Sequence, residues 1–116
     1  MLLLAIDTAG PVCAVALARA ADGGPEILTR IEERIGRGHA ERLMPMIEEA
    51  LTCAQKSFDD LDRIGVTIGP GSFTGVRVGV AAARGLALAL DIPAVGVGSL
   101  DAIMLPVTRA YDSGTV

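Results

Sequence analysis

Aromatic residues are nearly missing from this chain, which has no Trp, one Tyr and two Phe among 116 residues. Its core must be filled by Ala, Val, Leu and Ile instead, and 51% of the residues are hydrophobic. Such a composition excludes disorder, which needs low hydrophobicity together with high charge. Cysteine is scarce as well. Cys13 lies in an apolar strand candidate and Cys53 near a helix end, and two cysteines form no disulfide framework. Both read as plain thiols of a reduced compartment, so a cytoplasmic location is expected. Basic runs are absent: ten Lys and Arg are scattered singly and the net charge is -4. Phosphate-backbone binding usually leaves a basic stripe, so direct nucleic-acid binding by this chain is not expected. Long apolar runs are missing too. The opening stretch reaches Asp7 after Ile6, and the apolar segment after Gly75 is interrupted by Arg77 and Arg84. Neither reaches the roughly 18 uninterrupted apolar residues of a membrane span, and the start lacks the basic region and cleavage pattern of a signal peptide.

Glycine is plentiful, with 14 residues, which suits tight strand–helix corners. Leu2 to Thr8 is a short apolar run stopped by Asp7-Thr8-Ala9-Gly10-Pro11, a strand followed by turn chemistry. Val12 to Ala18 is a second strand candidate, and Glu26 to Ile35 alternates as a half-exposed third. Short turns join the three, which predicts an antiparallel meander. From Ala40 the period changes to about 3.6, with Ala40, Leu43, Met44, Ile47, Ala50, Leu51 and Ala54 forming the apolar stripe of a helix. Pro45 means either that the regular helix starts just before it or that its first turn is irregular. Lys56 to Asp62 reads as a polar connection and Arg63 to Gly69 as a strand. Thr74 is placed to cap a helix running to Leu90. Ala94 to Val97 is a short strand, and Ser99 is placed to cap a last helix that Pro106 interrupts. The expected order is β-β-β-α-β-α-β-α, a mixed sheet with helices on its faces. Residues 1–111 form one lobe in this reading, and Asp112 to Val116 a linker or the start of a missing second lobe.

Chemistry-bearing motifs are few. Gly69-Pro70-Gly71-Ser72-Phe73-Thr74-Gly75 follows a strand and opens a helix, where phosphate loops sit. It has no Walker lysine, and its spacing fits neither the P-loop nor the dinucleotide fingerprint. A tight corner and an anion contact are both open readings. Asp7 and Thr8 are candidates for a vestigial nucleotide contact, or else satisfy turn amides. His39 fits a helix start or a partner contact better than catalysis or metal binding. Glu41 is only two residues away, so the pair does not share a helix face. Ser72 lacks the nucleophile elbow. No catalytic residue and no metal ligand set are assigned.

Several stretches, in order, carry a resemblance. His39-Ala40-Glu41-Arg42-Leu43-Met44-Pro45 resembles the His-Ser-Glu-Arg-Leu-Leu-Pro stretch of the TsaB (YeaZ-like) family. Gly69-Pro70-Gly71-Ser72-Phe73-Thr74-Gly75-Val76-Arg77-Val78-Gly79 is similar to that family's most distinctive segment. Leu4 to Thr8, Asp60-Leu61-Asp62 and Ile92 to Leu100 agree as well. The resemblance implies a ribonuclease H-like lobe of the actin/Hsp70/sugar-kinase (ASKHA) class, one of two such lobes in the family. It also implies a non-catalytic subunit that binds and activates the catalytic homologue TsaD in N6-threonylcarbamoyladenosine modification of tRNA. TsaE would be a further partner, the chain would also pair with itself, and tRNA would be met only through the complex. No cofactor is expected in this lobe, with ATP or ADP bound only in the assembled complex. The His-x-x-x-His metal pair of TsaD is broken here, since Leu43 stands four residues after His39. Ala40 replaces the commoner Ser. The alternative is an enzyme of the same fold class, either ATP-dependent or peptidase-like.

A partner surface is expected on the helix opened by Gly75. Gly75, Gly79, Ala83, Leu86 and Leu90 share the side that should face the sheet. Thr74, Arg77, Val78, Ala81, Arg84, Gly85 and Leu88 share the opposite side, which is less polar than an ordinary surface helix face. On the preceding helix, Met46 and Cys53 are expected to extend this apolar strip, with Arg42 and Glu49 at its rim.

Overall fold

The structure, a computed structural model, describes residues 1–20, 22–34, 39–71 and 73–98. The apolar opening run forms β1 (Leu2–Asp7), followed by β2 (Val12–Arg19) and β3 (Glu26–Arg34). These pair as the expected antiparallel meander, with Leu4 opposite Leu17 and Val15 opposite Ile31. Helix α1 (His39–Cys53), strand β4 (Arg63–Thr67), helix α2 (Phe73–Leu90) and strand β5 (Ala94–Val97) follow. The sheet order is β3-β2-β1-β4-β5, with β4 parallel to β1 and β5 parallel to β4. This mixed five-stranded sheet, with helices packed on one face, is the expected α/β arrangement. The last predicted helix, from Ser99, and residues 112–116 lie outside the described residues.

Alternation in the strands sets which face is covered. Leu2, Leu4 and Ile6 of β1 and Cys13, Val15 and Leu17 of β2 point to one face, where they join Ile64 and Val66 of β4. Both helices lie on that face and pack beside each other. Each helix connects the end of one upward strand to the start of another, β3 to β4 and β4 to β5. The two helices therefore run in the same direction.

In α1 the buried positions are Leu43, Met46, Ile47, Ala50 and Leu51, the i, i+3, i+4, i+7 pattern of a core-facing stripe. Two expectations are corrected here. Met46 is fully buried, at 0% exposure, so it belongs to the core and not to a partner strip. It sits one turn from both Leu43 and Ala50. Ala40, expected in the stripe, is exposed. Burying each large apolar side chain contributes about 1.5–3 kcal/mol relative to leaving it in water. Pro45 lies inside the helix, where it removes one backbone bond. It is exposed, so the carbonyl that loses its donor lies on the side open to water.

Both helices end with a residue at positive φ, Gln55 (φ 58) after α1 and Asp91 (φ 54) after α2. Lys56 N–H then reaches back to the Leu51 carbonyl at 2.9 Å, and Ile92 N–H to Ala87 at 3.0 Å. These bonds satisfy the last-turn carbonyls, the work a C-terminal glycine often does. The supposedly polar connection after α1 is also corrected. It forms a short 3-10 turn, Phe58–Asp60, and buries Leu61. Asp62 then clasps the start of β1: its Oδ2 accepts from Leu2 N–H at 2.8 Å, and its own N–H donates to the Leu2 carbonyl at 2.9 Å. Thr74 is not the residue before α2, because the helix already includes Phe73.

Candidate functional site

Two places gather the residues singled out in the sequence. The first lies at the carboxyl ends of the central parallel strands. Asp7 ends β1, and its Oδ1 accepts from Ala9 N–H at 3.0 Å and from the Thr67 hydroxyl at 3.0 Å. Thr67 ends β4 and is buried. Thr8 is fully buried, and its hydroxyl donates to the Gly75 carbonyl in the first turn of α2 at 2.5 Å. The ends of β1 and β4 and the start of α2 are thus tied into one polar knot.

Glycine is required at two points of this knot. A Cβ on Gly71 would lie 2.5 Å from the Ala9 carbonyl oxygen and 2.8 Å from the Ala9 Cβ. A Cβ on Gly79 would overlap the Thr8 hydroxyl and approach Val66 Cγ2 at 3.2 Å. The glycine-rich segment therefore acts as the close strand-to-helix corner among the readings open from sequence. Gly69 bends the chain at φ +119°, and the Gly69–Pro70 bond is cis. Ser72 lies outside the described residues. Thr67, the missed member of the group, gave no local signal because its partner Asp7 is sixty residues away in sequence.

The second place is the outer surface of the paired helices. On α2 the predicted partition holds for most positions: Gly75, Gly79 and Ala83 are buried, Leu86 and Leu90 are partly buried against the core, and Thr74, Arg77, Ala81, Arg84, Gly85 and Leu88 are exposed, while Val78, expected on the outer side, is corrected to the boundary. Leu88 is 86% exposed, the most open of the large hydrophobic side chains among the described residues. Val78 is half-buried and packs against the core from the edge of this face. On α1, Glu41, Glu48, Glu49 and Cys53 are exposed. Arg42 has an additional role that the sequence did not reveal. Its guanidinium grips Glu33 of β3 with two bonds, Nε to Oε1 at 3.2 Å and Nη2 to Oε2 at 2.5 Å. The bonded Arg42 holds the Glu33 carboxyl below its usual range, and Glu33 raises Arg42 in turn. Beneath the pair, burial pushes the Cys13 thiol up, with Glu33 and Asp7 adding to the effect. His39 opens α1. Among the described residues, no three or more His, Cys, Asp or Glu side chains gather where they could hold a metal ion.

Comparison with known proteins gives a consistent set of relatives. The family model described as TsaD, tRNA N6-adenosine threonylcarbamoyltransferase, matches residues 29–113. The chain is 42% identical to the tRNA threonylcarbamoyladenosine biosynthesis protein TsaB of Escherichia coli (strain K12) over 100 residues, covering 86% of this chain and 41% of that protein. Among solved structures it matches YeaZ from Pseudomonas aeruginosa with a TM-score of 0.78 and 38% identity, over 97% of this chain and 49% of that one. Thermus thermophilus RuvC shares the fold at TM-score 0.60 and 12% identity. The chain thus spans less than half the length of the TsaB and YeaZ relatives it matches.

Proposed function

The chain belongs to the TsaD-type family as a TsaB/YeaZ-like member, and from that premise we propose that it serves the threonylcarbamoyladenosine modification of tRNA as a non-catalytic subunit. In this role it binds a TsaD-type catalytic partner through the outer face of α1 and α2. The observation that carries the binding role is the face around Leu88. An 18-residue helix presents Ala81, Gly85 and Leu88 to water with no acidic residue along its length. Large apolar groups rimmed by charge are the usual build of a partner surface.

The non-catalytic reading is supported by how the polar groups at the strand ends are used. Asp7, Thr8 and Thr67 bond to backbone and to one another, which is the work of holding a corner. Nucleotide, if present, then belongs to the assembled complex, where a second lobe and TsaE contribute. Transfer RNA is met only there, in keeping with the net charge of -4. None of the helices among the described residues is long and apolar enough to cross a membrane.

The test is co-purification with TsaD followed by reconstitution of the tRNA modification, with and without this chain. The expected result is complex formation and a modification rate that depends on the chain. Ala81→Glu should abolish both while the thermal melt stays unchanged, because a buried interface rejects an unpaired charge and an exposed face tolerates it. Persistence of complex formation and of the chain-dependent modification rate at parental strength in a folded Ala81→Glu protein places the interface elsewhere.

A further inference from the structure

β3 lies at one edge of the sheet, with β2 on one side and no strand on the other among the described residues. An edge strand presents a row of N–H and C=O groups with which another strand can pair. This one is nine residues long and holds Ile27, Leu28, Thr29 and Ile31, which favour strand structure. Ile27 is 49% exposed. Segments of about six such residues with little charge are the ones that stack on their own copies. The cross-strand register shows what stands along this edge. Arg30 and Glu32 lie opposite Ala16 and Ala14, on the face turned away from the helices, and Ile27 lies on that face opposite Ala18. Arg30 Nε donates to Glu32 Oε1 at 2.6 Å, and both side chains are open to water. Glu33 lies opposite Cys13, on the helix side, and holds Arg42. The register slips between Leu17 and Ala18, which makes Leu28 an extra residue between Ile27 and Thr29.

Each of these features works against a strand added at the edge. A bulge bends and twists its strand, so a straight partner cannot follow β3 on both sides of Leu28. Parallel, in-register stacking of two copies sets Arg30 on the partner's Arg30 and Glu32 on the partner's Glu32, like charge on like. The antiparallel register that sets Arg30 against the partner's Glu32 also sets Thr29 against the partner's Glu33. It crowds the Glu33–Arg42 pair at both ends of the contact, and ions stripped of water recover little from their mutual attraction. We propose that the bulge at Leu28 and the ion pairs Arg30–Glu32 and Glu33–Arg42 guard the β3 edge, keeping the sheet from growing by the β3 of a second copy. The guard acts whether or not the helix face holds a partner. The bulge lies beside Ile27, the most exposed apolar side chain of the strand, and the charges cover the straight part that follows.

The experiment follows sedimentation velocity and thioflavin T fluorescence at rising protein concentration, with thermal melts as a folding control. Arg30→Thr/Glu32→Thr removes one charge of each sign, so the net charge of -4 is unchanged, and it leaves positions 27 to 32 without charge. The expected result is a parental Tm with about tenfold more protein in large, thioflavin-positive species. Arg30→Gln/Glu32→Gln keeps the side-chain lengths and should show at least about a threefold rise, so the test survives if the threonine variant fails to fold. Adding Ile27→Lys to either variant returns a charge to the same face and should bring the level to within about threefold of the parent. Lys56→Gln/Asp59→Asn, which removes the same charges from the turn after α1, should match the parent. Hydrogen exchange should slow in β3 of the associated variants while the other strands keep parental rates. Variants that stay as dispersed as the parent, or an association accompanied by faster exchange throughout the sheet, would overturn the proposal.

Discussion

Gly79 shows how much a single hydrogen in place of a methyl group can decide. It lets α2 lie against the end of β1 closely enough for the buried Thr8 hydroxyl to reach the Gly75 carbonyl. Gly79→Ala gains helix propensity, but its methyl overlaps Thr8 and crowds Val66. Overpacking of this kind costs about 1–3 kcal/mol, so a net destabilisation is expected in urea denaturation. An unchanged or raised midpoint would show that the corner can open freely. At Glu33 the residue-scale effect is electrostatic. Its folded carboxyl titrates below the ordinary glutamate value of 4.5 because Arg42 hydrogen-bonds the charged form. The stabilisation is therefore complete above that value and is lost as the pH falls through the lower, folded one. The parent and Glu33→Gln should converge in thermal stability as the pH falls through the lowered, folded value and the carboxyl protonates. A gap that stays constant with pH would assign the pair no role in folding. The family-like stretch from His39 to Pro45 was legible in sequence, but the partner of Arg42 was not, because β3 reaches it only through the sheet register.

At the scale of elements, α2 is the better-predicted helix and also the one with the odd outer face. Gly85 is exposed in its interior, and a Cβ there would meet nothing within 4 Å. Within the isolated chain, Gly85→Ala should therefore stabilise by about 0.5–1 kcal/mol through helix propensity. Loss of partner binding in that same stabilised variant would indicate that the glycine serves close approach by another helix. Retained binding would assign it no such role. Helix α1 was read less well. Its periodicity located the helix, but the stripe was drawn one side too far, taking in Ala40 and leaving out Met46. With apolar residues at 43, 44, 46 and 47, hydropathy alone does not say which of the two methionines is central. Burial does: Met46 is fully enclosed in the core, and Met44 is only partly buried against it.

For the whole molecule, the paired helices form an outer layer over one face of the sheet, and this layer is the proposed meeting surface. Binding to the folded state stabilises by mass action, by about 2.7 kcal/mol when the free partner is at 100 times its Kd. The Tm of the parent chain should accordingly rise when TsaD is added, and that of Ala81→Glu should not. A parental Tm unmoved by TsaD at concentrations where the two co-purify would contradict a folded-state interface. The mixed topology also makes the molecule sensitive at its centre, since β1 pairs with a neighbour on each side and its first residue is clasped by Asp62.

Sequence alone determined the kind and order of the strands and α-helices from β1 to β5, since periods of two and 3.6 and the Gly and Pro breaks report local geometry directly. It also determined the buried and exposed sides of α2, because a long amphipathic helix has one phase. The stretches at His39 to Pro45 and Gly69 to Gly79 were equally local, and the family they pointed to is the one that the comparisons show. Tertiary structure decided what depends on distant partners: the Asp7–Thr67 bond, the Arg42–Glu33 grip, and the burial of Met46 and Leu61. Each of these requires strand register and the placement of helices on the sheet. A hydrogen bond or a packed side chain depends on position in space, and only the assembled sheet brings residues sixty positions apart to within 3 Å.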